Sequence, residues 1–329
     1  MPALSPLVFF GTPEFAVLTL AALTAAGRVP ALVVSQPSRP AGRGGEPRLP
    51  PVALWARERG LPLLQPERVR SPEFLAALRP LQPAIAVVVA FGQIFPRELL
   101  RLPAAGCLNL HASLLPLYRG AAPIQAAIAA GDERTGVTVM RMEEGLDSGP
   151  ILLQAETAIG PRETAGELSA RLAVLGGRLM VQALDRLERG DLIERPQDGA
   201  RVTLAPRLNR DSGRADWRHS AAELANRLRA YTPWPGLTAE LRGAPVKLLR
   251  AVALPWPPAP PAPPGAGSPT PPAPPVPGAF LGLTADGLAA ACGGGTALAI
   301  AELQRPGRKP QRAEDFVNGE RLRPGERFS

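Results

Sequence analysis

Residues 84–111 read AIAVVVAFGQIFPRELLRLPAAGCLNLH. The opening run, 84–90, is apolar throughout, as expected of a parallel strand covered on both faces. GCLNLH, 106–111, reads as the next strand. Alternate side chains on a strand share a face, so Cys107, Asn109 and His111 point one way and Leu108 and Leu110 the other. One face reads apolar and the other polar. A strand that displays an amide and an imidazole together is either edge decoration or part of a site.

The same alternation extends in both directions. LVFF at 7–10 and ALVVS at 31–35 are strands upstream; GVTVMRM at 136–142 and ILLQAETAI at 151–159 are strands downstream. Helices fall between them. Thr12 is placed to cap the first, with Pro13 at its first position, Glu14 in its first turn and Gly27 closing it. PVALWARERG at 51–60 is a helix with Gly60 past its end, and Ser71, Pro72 and Glu73 repeat the capping pattern over 71–79. APIQAAIAAG at 122–131 and the long TAGELSARLAVLGGRLMVQALDRLERG at 164–190 complete the set. Residues 36–50 are too rich in Pro, Gly and Arg to be anything but loop. Strands alternating with helices argue a doubly wound α/β domain through about residue 190. Sites in such sheets lie outside the carboxyl ends of strands, and His111 sits at one such end.

Residues 191–206 read as a connector. Beyond it HSAAELANRLRAYTPWPG at 219–236 contains a short helix, and LTAELRGAPVKLLRAVAL at 237–254 reads as hairpin strands. GAFLGLTADGLAAAC and ALAIAELQ supply further strands, so that 207–329 is expected to form a small β-barrel. Residues 255–278, PWPPAPPAPPGAGSPTPPAPPVPG, cannot form a core and are expected to be an extended or disordered spacer.

At 329 residues two domains are the better expectation, and 45% hydrophobic content suffices for both cores. No apolar run reaches the roughly 18 residues of a spanning helix. The start carries neither a basic n-region nor a small-residue cleavage site, so neither membrane nor secretory targeting is expected. Two cysteines, Cys107 and Cys292, and two histidines make no disulfide or zinc framework. The chain is expected to be cytoplasmic. Its net charge of +8 is uneven: residues 201–329 hold 17 Lys+Arg against 10 Asp+Glu, whereas residues 1–200 hold 20 against 19. A neutral front and basic back suggest an enzyme body joined to a polyanion-binding module. An Arg-rich genome bias is the plain alternative.

The first βα turn, FFGTPEF, has one glycine and so lacks the dinucleotide fingerprint; a phosphate-binding P-loop is absent too. LQRPGRKPQRAEDFVNGERL, 303–322, reads as a basic turn with a solvated loop as its plain interpretation. Three groups then remain for chemistry: Asn109, His111 and Asp147, the last in MEEGLDSGP, 142–150. Asp147, between Gly145 and Gly149, has the rival reading of a turn former. Together the three offer an amide donor, a titratable acid or base and a carboxylate, a set suited to acyl transfer. Spacing alone does not bring the third to the first two.

FFGTPEFA, SQPSRPAGRG, NLHASLLPLYRGAAPIQ, GLDSGPIL, YTPWPG and PGRKPQRAEDFVNGERL together resemble the methionyl-tRNA formyltransferases over nearly the whole chain. Asn-x-His with a distant Asp is common to all 10-formyltetrahydrofolate-dependent transformylases; SRPAGRG and the tail narrow the resemblance to the tRNA enzymes. It implies a Rossmann-like, parallel-rich formyltransferase domain over 1–190 and an OB-like, tRNA-binding barrel over 207–329. By the same resemblance Asn109, His111 and Asp147 are catalytic. Ser113, Leu114, Leu115 and Pro116 match the folate-binding segment, and the backbone around Phe91, Gly92, Gln93 and Ile94 would line the pterin pocket. Arg43 matches the loop arginine that senses the acceptor end of initiator tRNA. Two departures stand out: the proline-rich insert, and Phe91 where Tyr is common. The implied reaction moves a formyl group from 10-formyltetrahydrofolate to the α-amine of methionyl initiator tRNA, without a metal and by a monomer. A 10-formyltetrahydrofolate hydrolase and a small-amine formyltransferase are the alternatives, disfavoured by the basic second half and the Arg-bearing loop.

Overall fold

The computed structural model describes residues 4–40, 47–254 and 275–329. It divides into two compact units: Met1–Ile124 with Glu133–Gly160 and Glu167–Arg207, and Gln125–Asp132 with Pro161–Gly166 and Leu208–Ser329.

The first unit is built on seven strands: β1 Leu7–Gly11, β2 Leu32–Val34, β3 Leu63–Leu64, β4 Ile85–Val89, β5 Cys107–His111, β6 Arg134–Arg141 and β7 Ile151–Ala158. Their order is β3-β2-β1-β4-β5-β6-β7. The sheet is parallel from β3 to β5, and β6 and β7 turn antiparallel at one edge. Every residue of β1 and β4 is buried, as apolar runs in a helix-covered parallel sheet require.

Around the sheet lie α1 Glu14–Ala25, α2 Pro51–Glu58, α3 Pro72–Leu78 and α4 Arg97–Arg101, with α6 Ala165–Arg189 further along the chain; α5 Pro123–Ala130 belongs for the most part to the second unit. Ser71 caps α3 by accepting from the Phe74 N–H at 3.3 Å. Thr12 does not cap α1. Pro13 holds the N-cap position without a side-chain bond, and the Thr12 hydroxyl instead donates to the Phe91 carbonyl at 3.1 Å. Local pattern could not disclose that competing acceptor, which comes from a different strand end.

The polar face expected on β5 is not exposed. Cys107 is buried with its thiol 3.9 Å from the Leu99 carbonyl of α4, and His111 is buried too. The opposite face is met by α6, where a Cβ on Gly176 would stand 2.5 Å from Leu110 Cδ2. Crossover helices cover both faces of a parallel sheet, so β5 carries its polar groups inside.

The second unit is a barrel of β8 Leu237–Leu241, β9 Ala244–Leu254, β10 Phe280–Thr284, β11 Gly287–Cys292 and β12 Thr296–Gln304, antiparallel in the order β8-β9-β12-β11-β10. The carboxyl-terminal residues join its outer strands. Leu241 bridges Phe328, Ala279 bridges Arg327, and Ser329 and Glu240 exchange main-chain bonds at 2.7 and 2.9 Å. α7, Ala221–Ala230, begins with a capping box of Ser220 and Glu223. The stretch expected as a basic turn is folded further: Gln311–Arg312 pairs with β12, and Ala313–Glu320 forms α8, burying Ala313, Phe316 and Val317. These few apolar positions become a helix face only where a core receives them. Most of the proline-rich segment, residues 255–274, lies outside the described residues. Among the described residues no helix is long and apolar enough to cross a membrane.

Candidate active site

β5 ends at His111, and the chain must turn sharply there. Thr138, opposite His111 in register on β6, is fully buried; its hydroxyl donates to the Ser113 carbonyl at 2.6 Å and accepts from the Leu115 N–H at 3.1 Å. Ser113 spends its own hydroxyl on the Leu117 carbonyl at 2.6 Å. The loop after β5 is thus held from within and carried back past the imidazole.

That return defines the histidine. His111 Nε2 lies 2.8 Å from the Tyr118 carbonyl. A carbonyl only accepts, so Nε2 carries a hydrogen and Nδ1 is the edge left open for chemistry. Nδ1 faces Asp147 Oδ2 at 3.6 Å, an ion-pair distance beyond hydrogen-bonding reach. The pair is sheltered, with side-chain exposures of 6% for His111 and 18% for Asp147. Asp147 adopts a left-handed φ of 48°, and its Oδ2 accepts from the Gly120 N–H at 2.8 Å. The structure therefore brings together the imidazole and the carboxylate, which sequence spacing left apart.

Asn109 is half-buried on the same face of β5 as His111, two residues back, or about 7 Å along the strand. Its side-chain amide has no hydrogen-bond partner among the described residues. Cys107 shares that face, but burial pushes its thiol up to about 12, which removes it as a nucleophile. Among the described residues no three His, Cys, Asp or Glu side chains gather as a metal site.

The expected folate segments divide in their placement. Ser113 and Leu115 are buried, Leu115 against Met140 and Ile151, and Pro116 is buried as well; Leu114 is half-exposed. These side chains mainly hold the loop. Phe91–Ile94 follows β4, whose end lies beside that of β5 through the pairing of Val89 with Leu110. Phe91 is buried edge-on against Phe10 and Phe95, and its carbonyl accepts from Gln36 Nε2 at 2.7 Å as well as from Thr12. The main-chain groups of Gly92, Gln93 and Ile94 make no hydrogen bond among the described residues, and Ile94 is 93% exposed. A cleft of about 630 Å³ beside them is walled by Gln36, Arg39, Arg68 and Arg70; Asn109, His111 and Asp147 do not line it. Arg43 lies outside the described residues, between the paired segments Arg39–Pro40 and Pro47–Arg48.

Residues 6–184 match the formyl transferase family, and residues 207–321 match the formyl transferase C-terminal domain. A methionyl-tRNA formyltransferase of Anaeromyxobacter dehalogenans is 47% identical over 95% of this chain and 96% of its own. This chain belongs to the methionyl-tRNA formyltransferase family. A second family member, from Myxococcus xanthus, is 46% identical over 97% of this chain and 96% of its own. The solved N-formyltransferase of Helicobacter canadensis, complexed with folinic acid and dTDP-3-aminofucose, covers 90% of this chain and 98% of its own with a TM-score of 0.61. At 15% identity that likeness shows the fold alone.

Several residues that shape the family's site here escaped the sequence reading. Gln197 donates to the carbonyls of Asp147 and Gly149, both at 2.7 Å, and accepts from Arg119. Thr203 binds the Tyr118 N–H at 2.8 Å. Segment 191–206 thus does more than connect. Leu204–Ala205 pairs with Arg119–Gly120, and Arg195 with Ile151. A lone polar residue among Pro, Gly and Arg leaves no periodic signal to find it by.

Proposed function

We propose that the chain transfers the formyl group of 10-formyltetrahydrofolate to the α-amino group of methionyl initiator tRNA, with Asn109, His111 and Asp147 as its catalytic residues. The observation that carries this reading is the amide, imidazole and carboxylate cluster at the carboxyl end of β5 in a chain of this family. Hydrolysis, or formylation of a small amine, needs none of the second unit's positive charge and is not favoured.

10-Formyltetrahydrofolate is a substrate here and supplies the formyl carbon. The α-amine has a pKa near 7.7–8.0, so about a tenth is neutral at pH 7 and needs little activation. Its nitrogen forms a bond to the formyl carbon, the bond from that carbon to N10 breaks, and one proton passes from the attacking nitrogen to N10. Negative charge develops on the formyl oxygen between those events. The uncommitted Asn109 amide is suited to donate to that oxygen, and so is a proton on His111 Nδ1, which Asp147 does not consume at 3.6 Å. Asp147, facing Nδ1, is placed to help the proton move. The free main-chain groups of Gly92, Gln93 and Ile94 suit the donor and acceptor edge of a pterin. Ser113, Leu114, Leu115 and Pro116 hold the neighbouring wall, and Arg43 is assigned to the acceptor end of the tRNA. The chain acts in the cytoplasm as a monomer, a state that sedimentation measures.

Incubation with formyl-labelled 10-formyltetrahydrofolate and either methionyl initiator tRNA or buffer tests the reading. Label is expected on the tRNA. Free formate in both reactions, with none on tRNA, would make the protein a hydrolase.

A further inference from the structure

Asp147 adopts a left-handed φ of 48°, a turn conformation that aspartate tolerates better than most residues, in a loop that contacts from outside hold in place. Those contacts come from the segment leading out of the first unit. The Gln197 amide nitrogen donates to the Asp147 and Gly149 carbonyls, both at 2.7 Å. Its oxygen accepts from Arg119 Nε at 3.1 Å and Nη2 at 2.8 Å. Arg119 lies between Tyr118, whose carbonyl takes the His111 Nε2 hydrogen, and Gly120, whose N–H holds Asp147 Oδ2. One side chain therefore ties the loop that carries the carboxylate to the loop that grips the far side of the imidazole.

We propose that Gln197, through its fork with Arg119, is a positioning residue that sets Asp147 against His111 Nδ1; this rests on the catalytic reading of Asp147 above. The 3.6 Å separation has no direct hydrogen bond to maintain it, so the two loops must be fixed from outside. Gln197 is half-buried in a stretch whose neighbours Pro196 and Asp198–Arg201 are exposed, so little apolar packing is lost with its side chain. A stabilising role alone would lower the melting temperature and spare turnover.

The test is a double-mutant cycle in the full chain. Gln197→Ala and the closer-sized Gln197→Met are each assayed alone and with Asp147→Asn, and thermal melting is recorded for all. A displacement of the carboxylate lowers kcat roughly tenfold to a hundredfold. KM for methionyl-tRNA and for folate should stay within about threefold, since a group acting on the transition state leaves ground-state binding alone. On the Asp147→Asn background the same change should cost less than about twofold, because the residue it acts through is already disabled. Equal losses on both backgrounds, or unchanged kcat with a lower melting temperature, would overturn the positioning role. If neither Gln197 variant folds, the residue is a folding determinant and the proposal is overturned as well. Asp147→Asn turning over like the parent enzyme would instead remove the catalytic reading itself, and this inference with it.

Discussion

His111 is fixed at Nε2 by the Tyr118 carbonyl and faces Asp147 across 3.6 Å at Nδ1, while Asn109 beside it keeps its amide uncommitted. That difference separates two kinds of donor, one preset in direction and one free to meet the substrate. His111→Ala and Asn109→Ala should each lower kcat by roughly 100- to 1000-fold, the usual loss for one oxyanion donor. KM should change little. A variant whose only defect is a raised KM in steady-state assays would remove that assignment. Gly120 is the other decisive position: its φ is 121°, and a Cβ there would stand 2.6 Å from the Ala205 carbonyl. Its N–H also holds Asp147. Gly120→Ala should cost about 1–3 kcal/mol of stability, the range for enforced backbone strain. Urea denaturation measures this, and an unchanged midpoint would mean that the Leu204–Ala205 segment yields freely.

Among the elements, α6 serves both as cover for Leu110 and as an anchor. Near its end Asp185 and Glu188 bind Arg28, which follows α1, at 2.7 and 2.6 Å. Hydrogen bonding to Arg28 is the largest influence on Glu188 and holds its carboxyl below the ordinary value. A carboxylate lowered in the folded state adds stability above its unfolded pKa of about 4.3, and this is lost as pH falls through the folded value. The Glu188 side chain is 32% exposed, so Glu188→Gln should cost only about 0.5–1 kcal/mol at neutral pH. The gap to the parent protein should close on acidification, and a gap that persists at low pH would assign the effect to packing. In the second unit the terminal residues act as a strand. Phe328 is fully buried beside Trp217, with ring centroids 5.8 Å apart. Phe328→Ala should therefore destabilise that unit by about 3–5 kcal/mol. Hydrogen exchange localised to β8 and β10 would register the loss, and protection equal to the parent's would show that barrel closure does not depend on this ring.

For the whole molecule, the excess positive charge lies in the half that does not carry the catalytic cluster. Arg305 is committed to Glu320 at 2.9 Å and to the Ala244 carbonyl at 2.8 Å, whereas Arg308 and Lys309 are among the exposed cations near α8, with Arg312 and Arg321 at its two ends, that can meet a polyanion. Binding of tRNA should weaken steeply with salt, by about 0.7–0.9 logarithmic units per tenfold salt for each neutralised phosphate. Arg308→Ala with Lys309→Ala should reduce that slope by about one to two, because each phosphate contact contributes about one. Parallel slopes between low and physiological salt would reduce the pair to compositional bias.

Local periodicity was enough to locate β1, β4, β5 and α6, because a buried strand and an amphipathic helix each write their covered face into a short window as an apolar run or a repeating apolar pattern. The motifs placed Asn109 and His111 together for the same reason, since residues two apart on a strand share a side. By itself the sequence thus determined the order of elements, the polar strand end and the family. Only tertiary structure decided that Asp147 reaches His111, that Thr12 serves Phe91 rather than α1, that Gln197 joins two loops, and that the chain's last residues close a barrel. Each of these depends on partners remote in sequence whose approach is set by the packing of the whole sheet or barrel. No short window of residues encodes that distance.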